Sequence, residues 1–391
     1  MFRSEKIGII RMKYYFAPME GITLYPLRNV HREVFGAGVD KYYTPFLTAA
    51  QTFHFKNREK KDVLPEKQSA FMDDFGTCIE PQIMAGNAEN FLWAAREMKK
   101  LGYHGVNLNL GCPAPTVVNR HKGSGLLQEP EYLDEMLAEI FEAVSENTIV
   151  GGKPFNKKRD EEDLALKQAG ADKEQNGCNG SDMSVYPAIS LKTRLGFSDP
   201  SEATELMKVY AKYPIKELTI HARVREDYYA GRARIEDFKR AVEEYRECGG
   251  NAEICYNGNI NSIQDYETLL NELGIEEKSS DAKAMGDEAA YISSIMIGRG
   301  LLSNPALVRE LKGGEKLQPE ELKIYLRKLY DTYSEYIPED RNVIFKMLEH
   351  WAFLHVHFKD CDRQLKAIRK SRSKGEYQAA VNDIFAKCEF I

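Results

Sequence analysis

Gly111-Cys112-Pro113 sets a thiol between a glycine and a proline at the end of the apolar run Gly105–Leu110. A packed core cysteine needs no such punctuation, because glycine and proline take it out of the strand and into a rigid loop. A cysteine there can be a nucleophile, which wants a base or cation beside it to lower its pKa. It can equally be a proton donor, which wants the ordinary value of about 8.5 and so stays protonated at neutral pH. These residues leave both readings open. Other strand-like runs end in or carry polar and glycine-rich groups too: Ala17-Pro18-Met19-Glu20-Gly21, Gln82, Asn107 and Asn109, Lys192 and Arg194, His221-Ala222-Arg223, Asn257-Gly258-Asn259 and Gly298-Arg299-Gly300. The last two suggest an anion site. Glycines at 258, 298 and 300 let backbone N–H groups approach a ligand closely, and Arg299 can fork onto a phosphate with two charge-assisted bonds. The chain has no P-loop, no G-x-G-x-x-G and no paired C-x-x-C. That argues against nucleoside-triphosphate, Rossmann and zinc chemistry, and no metal is expected.

Eight apolar runs of strand length carry these groups: Tyr14–Met19, Val39–Leu47, Ile79–Ala85, Gly105–Leu110, Ile189–Arg194, Leu218–Ala222, Glu253–Asn257 and Ser293–Gly298. Amphipathic stretches such as Asn90–Leu101, Tyr132–Val144, Ser201–Tyr213 and Ile235–Cys248 lie between them. Strand–helix alternation means a parallel sheet covered by helices, and eight units fit a (β/α)8 TIM barrel. An open doubly wound sheet would share the alternation. In the barrel, the polar groups above stand at the carboxyl ends of the strands, where that fold places its chemistry. Two polar stretches, Gly151–Val185 and Gly274–Glu288, each follow a helix and precede a strand, which makes them solvated insertions on the opposite face. Past Asn304-Pro305 the strand signals stop. The expectation is an α/β chain, with a barrel over residues 1–305 and a small all-helical domain over 306–391.

A hydrophobic fraction of 43% over 391 residues excludes wholesale disorder. The 54 basic and 60 acidic residues give −6, so a nucleic-acid partner would have to be met by a local patch. Seven scattered cysteines point to a reducing compartment. Near the start only Ile7–Ile10 is apolar, too short for a signal peptide, and no run approaches a membrane span; a cytoplasmic protein is expected. From Ala306 onward there are 16 basic and 14 acidic residues, or +2, which leaves −8 for the rest. Taken as one helix from Leu354 at about 100° per residue, Leu354, Phe358, Cys361, Leu365 and Ile368 form an apolar stripe. Lys359, Arg363, Lys366 and Lys370 form a basic stripe about 140° around it.

In their order along the chain these motifs resemble the tRNA-dihydrouridine synthases, flavin-dependent enzymes that reduce a uridine in tRNA. The most specific piece is Asn107-x-Asn109-x-Gly111-Cys112-Pro113 followed by Gly123-Ser124-Gly125-Leu126-Leu127. The other strand-end groups, with Tyr229-x-Gly231, support it, and the likeness runs from about Tyr15 to the C-terminus outside the two insertions. Two positions depart from the common family pattern: Thr116, where a lysine is frequent, and Asn259, where an aspartate is.

The resemblance implies flavin mononucleotide (FMN) in the barrel mouth. Pro18, Met19 and Glu20 would line its ring system, Gln82 would bond the pyrimidine edge, Lys192 would stand near N1 and O2, and His221 would flank the ring or its phosphate side. Asn257, Gly258, Asn259, Gly298 and Arg299 would hold the phosphate. It further implies NADPH as reductant, hydride delivery to C6 of the uracil, and protonation of C5 by an acid that Cys112 resembles. Asn109 and Arg223 are then candidates for the uracil edge, and Lys359, Arg363, Lys366 and Lys370 for gripping the RNA, whose target base must be splayed out. No membrane or obligate protein partner is expected. One rival is an FMN barrel reductase of a free small molecule, dihydroorotate-dehydrogenase-like or old-yellow-enzyme-like, which gives no reason for the helical tail. The other is a decayed, non-catalytic RNA-binding barrel, against which the intact set of Cys112, Lys192, His221 and Arg299 speaks.

Overall fold

A computed structural model describes residues 12–68, 75–150, 184–275 and 292–391. Nearly all of the two polar insertions lies outside the described residues, as does the run Ile7–Ile10. The strands are β1 Lys13–Phe16, β2 Lys41–Tyr43, β3 Leu47–Thr48, β4 Ile79–Glu80, β5 Gln82–Met84, β6 Gly105–Asn109, β7 Ala188–Gly196, β8 Glu217–Val224, β9 Glu253–Asn257 and β10 Ser294–Ile297. They pair in parallel in the order β3-β5-β6-β7-β8-β9-β10-β1-β2-β4.

The two ends of that order belong to the same two strands. β2 and β3 are one run broken at Thr44-Pro45-Phe46, and β4 and β5 are one run broken at Pro81. The lower pieces pair Tyr42 with Ile79 and the upper pieces Leu47 with Ile83, so the register slips by one residue across the break. Ten segments therefore make eight strands, and the sheet closes on itself as a TIM barrel. A proline has no N–H to give to a ladder, which is why each run breaks where it does. Thr44 repairs the gap: its N–H donates to Glu80 O at 3.2 Å, and its hydroxyl accepts the Gln82 N–H at 3.1 Å.

Helices Tyr25–Phe35, Ala88–Lys100, Pro130–Ser145, Ala203–Ala211, Ile235–Glu247 and Ile263–Leu273 cover the outside. Outward strand residues such as Val106 and Leu108 share one core with Phe91, Ala94 and Ala95 of those helices. Inside, the barrel floor is charged. Lys41 Nζ lies 2.9 Å from Glu80 and 3.4 Å from Glu217, the Tyr43 hydroxyl donates to Glu217 at 2.6 Å, and the Ser190 hydroxyl donates to Glu80 at 2.5 Å. Two buried carboxylates are tolerated there because each is paired and hydrogen-bonded. Alternation along the strands places Gln82, Asn107 and Lys192 one inward layer higher, facing the mouth.

Beyond β10 the chain is helical, with Pro319–Ser334, Asp340–Leu354, Asp362–Lys370 and Lys374–Lys387 as its main elements. These share the barrel's core, as in the 5.4 Å contact of the Phe35 and Tyr325 rings. Polar ties reinforce it. His31 is fixed between the Tyr42 hydroxyl (2.8 Å) and Pro305 O (3.0 Å), and burial lowers its pKa to about 4, so it is neutral. Lys346 Nζ donates to Gly21 O at 3.1 Å, and His357 Nε2 to Ser303 O at 2.7 Å. Among the described residues no helix is long and apolar enough to cross a membrane.

The single helix expected from Leu354 onward is in fact interrupted. Asp340–Leu354 runs into a 3-10 turn at His355–His357, Phe358 pairs with Phe390 as an antiparallel bridge, and Asp360 has φ +52°, which no α-helix accepts. All five residues of the apolar stripe are buried, but the four basic residues do not share one face. Lys359 sits in the break, 3.4 Å from Glu389. Arg363, Lys366 and Lys370 remain together, exposed on Asp362–Lys370.

Candidate active site

A cavity of about 260 Å³ opens at the carboxyl ends of the barrel strands. Its wall contains all eleven residues expected to hold a cofactor, together with Cys112 and Asn109. On one side the β1 loop is pinned: the Met19 N–H donates to the Thr23 hydroxyl at 2.8 Å, and Met19 O accepts from Ile22 and Thr23, both at 3.0 Å. That turn aims Pro18 and Met19 inward and leaves Glu20 at the rim, 3.3 Å from Arg58, with its carboxyl pKa raised by partial burial.

Opposite lies a cluster of cations. Lys192 Nζ donates to Asn257 Oδ1 at 2.8 Å; burial, and then the charge of Arg194, lowers its pKa to about 7. Arg194 spends its donors on carbonyls, Gly111 O (2.6 Å), Val224 O (3.0 Å) and Tyr228 O (3.1 Å). Arg299 and Arg223 both donate to Asn259 Oδ1, at 3.0 and 3.1 Å. Burial and the surrounding cations hold His221 far below its usual pKa, so it is a neutral polar group. Among the described residues, Glu20 is the only carboxylate in the wall. Arg223 Nε and Nη1 are buried without a partner. The excess of positive charge in the wall, with Arg299 lining the cavity, fits an anionic ligand with phosphate oxygens. The glycines after β9 and β10 are fixed by packing: a Cβ at Gly258 would lie 2.1 Å from the Tyr256 hydroxyl oxygen, and one at Gly300 would lie 2.0 Å from Ile260 O. Gly300→Ala must therefore move backbone and is expected to destabilise the fold by about 1–3 kcal/mol in thermal or denaturant unfolding. Gly111→Ala, whose Cβ would meet nothing nearer than 3.6 Å, is expected to be tolerated.

Cys112 is held from both ends. Its N–H and that of Gly111 donate to Asn109 Oδ1 at 2.9 and 3.0 Å, and its carbonyl accepts the Ser124 N–H (3.2 Å) and hydroxyl (2.8 Å). Burial pushes the thiol pKa up more than Arg194 and Lys192 pull it down, so the thiol is protonated at neutral pH.

Of the two residues expected at the uracil edge, one stands behind the cavity wall and the other lies in it. Arg223 is fully buried behind the wall, bonded to Gly231 O (2.6 Å) and Asn259, where it braces the anion site. Asn109 is in the wall, but its carboxamide already makes three hydrogen bonds, one of them to Gln82 Oε1 at 2.7 Å. Lys359, Arg363, Lys366 and Lys370 belong to the helical region and are not part of the cavity wall. Pro45 and Phe46 enter the wall without having been expected there; the signal was a proline inside the run Val39–Leu47. Tyr229 also lines it, its ring 5.7 Å from the Arg194 and 5.8 Å from the Arg299 guanidinium carbon.

The chain is 26% identical over 379 residues to a tRNA-dihydrouridine(16) synthase of Neisseria meningitidis serogroup A, covering 95% of this chain and 94% of that protein. It is 25% identical over 376 residues to a probable tRNA-dihydrouridine synthase 2 of Bacillus subtilis, covering 96% and 94%. Among solved structures, morphinone reductase in complex with tetrahydroNAD matches with a TM-score of 0.45 at 10% identity, over 78% of this chain and 88% of that one. The dihydrouridine synthase family model matches residues 15–179 and 184–389, through the strand-end motifs and into the helical tail, and the chain belongs to the dihydrouridine synthase family.

Proposed function

We propose that this protein reduces the C5=C6 bond of a specific uridine in tRNA to 5,6-dihydrouridine, with FMN as resident cofactor, NADPH as reductant and Cys112 as general acid. The observation that carries the reading is a thiol, its pKa pushed up by burial, lining the same cavity as Lys192, Arg194 and Arg299. The names of the relatives support tRNA as the substrate. FMN, reduced by NADPH, supplies the hydride. The remaining work falls to the chain. Arg299, Asn257, Gly258, Asn259 and Gly298 hold the phosphate, with Arg223 bracing Asn259 from behind. Gln82 meets the pyrimidine edge, Lys192 supplies positive charge beside the ring, and Pro18, Met19, Glu20 and neutral His221 shape its slot. Cys112 gives its proton to C5 of a uracil drawn out of the RNA fold into the mouth.

Mass spectrometry of tRNA from a strain lacking the gene tests this. One dihydrouridine should revert to uridine, about 2 Da lighter because two hydrogens are no longer added, and its place in the digest names the target position. Unchanged tRNA would overturn the reading. A flavin reductase of a free small molecule has no use for the helical region, and that region supplies a second test. Changing Arg363, Lys366 and Lys370 together to Ala should weaken tRNA binding and flatten its salt dependence by roughly 0.7–0.9 in slope per lost phosphate contact, with NADPH oxidation untouched. Lys359→Ala alone should do little, since that side chain is already paired with Glu389.

A further inference from the structure

We propose that Asn107 is a positioning residue for Cys112, acting through a chain of three side-chain amides. The inference rests on the reading of Cys112 as proton donor. The N–H groups of Gly111 and Cys112 both donate to one atom of the Asn109 side chain, at 3.0 and 2.9 Å, so that atom is its oxygen. The Asn109 nitrogen is then the atom that faces Gln82, and it donates to Gln82 Oε1 at 2.7 Å. Gln82 must in turn present its nitrogen to the next residue, and Nε2 donates to Asn107 Oδ1 at 2.8 Å. Two backbone donors at the Cys112 turn thus dictate the polarity of three successive amides. Asn107 is fully buried, Gln82 is 1% exposed and Asn109 is 7% exposed, so the chain runs from the cavity wall into the barrel interior.

Asn107 is the terminus of this chain, and it stands outside the cavity wall. Its own Nδ2 is buried with no partner, so within the chain its contribution is the acceptor it offers to Gln82. Without that acceptor, the Gln82 amide gains nothing from its present orientation. Turned over, it would put a donor against the Asn109 donor, and Asn109 could escape only by turning its nitrogen toward the two N–H groups of the Cys112 turn. Every amide in the chain is correct only while its neighbour is. The consequence reaches Cys112 across three side chains and two strands, while Arg299 and Asn259, which follow other strands, are not part of the chain.

The test compares Asn107→Leu, close in shape but without an acceptor, with Asn107→Asp, which keeps the acceptor toward Gln82 and lacks the orphaned donor. In flavin-loaded protein, Asn107→Leu should lower kcat for tRNA uridine reduction roughly 5- to 100-fold, the effect of one unsatisfied buried amide. KM for tRNA should stay near wild type, and flavin reduction by NADPH should fall by clearly less than kcat, although Gln82 meets the pyrimidine edge. The rate at which iodoacetamide alkylates Cys112, measured without RNA, should change in the same variant, and Asn107→Asp should restore both quantities. If Asn107→Leu does not accumulate folded, Asn107→Ser carries the same expectation, its hydroxyl being too short to reach Gln82. The proposal is overturned if kcat and the alkylation rate are unchanged, if flavin reduction falls by the same factor as kcat, or if Asn107→Asp is as impaired as Asn107→Leu. A wild-type protein that leaves tRNA uridine untouched would instead defeat the proposed function, and the alkylation comparison would still decide the positioning role.

Discussion

Cys112→Ala is expected to bind flavin and accept electrons from NADPH almost as the wild type does, while dihydrouridine formation on tRNA falls by roughly 10²–10⁴, the usual range for a lost general acid. The separation follows from where the thiol stands. It faces the mouth on a turn held by Asn109 and Ser124, and the Arg299–Asn259 pair that fits the phosphate is built on other strands. The pH dependence gives the sign of the role. Burial raises the thiol pKa above its ordinary value, so the protonated, active form persists through neutral pH and is lost only as pH climbs past that raised value. A thiolate nucleophile would do the reverse and gain rate over the same interval. Single-turnover tRNA reduction across alkaline pH, alongside the flavin half-reaction, decides it. Full turnover by Cys112→Ala, or a rate that rises with pH through the thiol titration, would remove Cys112 from the acid role.

Which parts of this molecule are legible in the sequence depends on the range of the interactions that fix them. Strand–helix alternation is local, and it led to the barrel; the glycine and proline around Cys112 are local too, and they marked the turn. Pro45 and Pro81 each lie inside an apolar run, yet what their breaks achieve depends on two distant segments repairing one another through Thr44 and Gln82. Asn109 illustrates the same limit. Its type and its place at a strand end made it a candidate for the substrate, but its hydrogen bonds are set by Gln82, which register brings alongside β6 from 27 residues away. Arg194 and Arg223 look alike in sequence, each two residues after a polar group at a strand end. One faces the cavity and the other lies behind it, and the difference is one of side-chain direction at neighbouring strands. The tail shows a pattern that succeeded for the wrong reason. Leu354, Phe358, Cys361, Leu365 and Ile368 are all buried, but they reach the core from two helices and the turn between them, and Asp360 in the left-handed region resets the phase.

Lys192 offers the second large effect, this time on cofactor affinity. Buried among cations, its ammonium has a pKa of about 7 in the free cavity. The acceptor atoms N1 and O2 of the flavin ring, placed beside it, take a hydrogen bond from the charged form and raise that value. At pH 8 the free protein therefore holds Lys192 mostly neutral, and the complex holds it charged, so binding FMN should draw in close to one proton. At pH 6 the lysine is charged in both states and its uptake vanishes. The other titrating groups do not mimic this at pH 8: a phosphate monoester, with its second pKa near 6, is already fully ionised, and His221 is held neutral far from its titration. By linkage, FMN affinity should fall by up to about tenfold per pH unit above 7 until the raised pKa of the complex is reached. Calorimetric titration of flavin-free protein in buffers of different ionisation enthalpy measures the proton count directly. Lys192→Met should abolish both the uptake and the pH slope, and should bind FMN with the weak affinity that wild type shows at high pH. If Lys192→Met retains the same proton uptake at pH 8, some other group titrates, and the charge that Lys192 is proposed to place beside the flavin ring is not there.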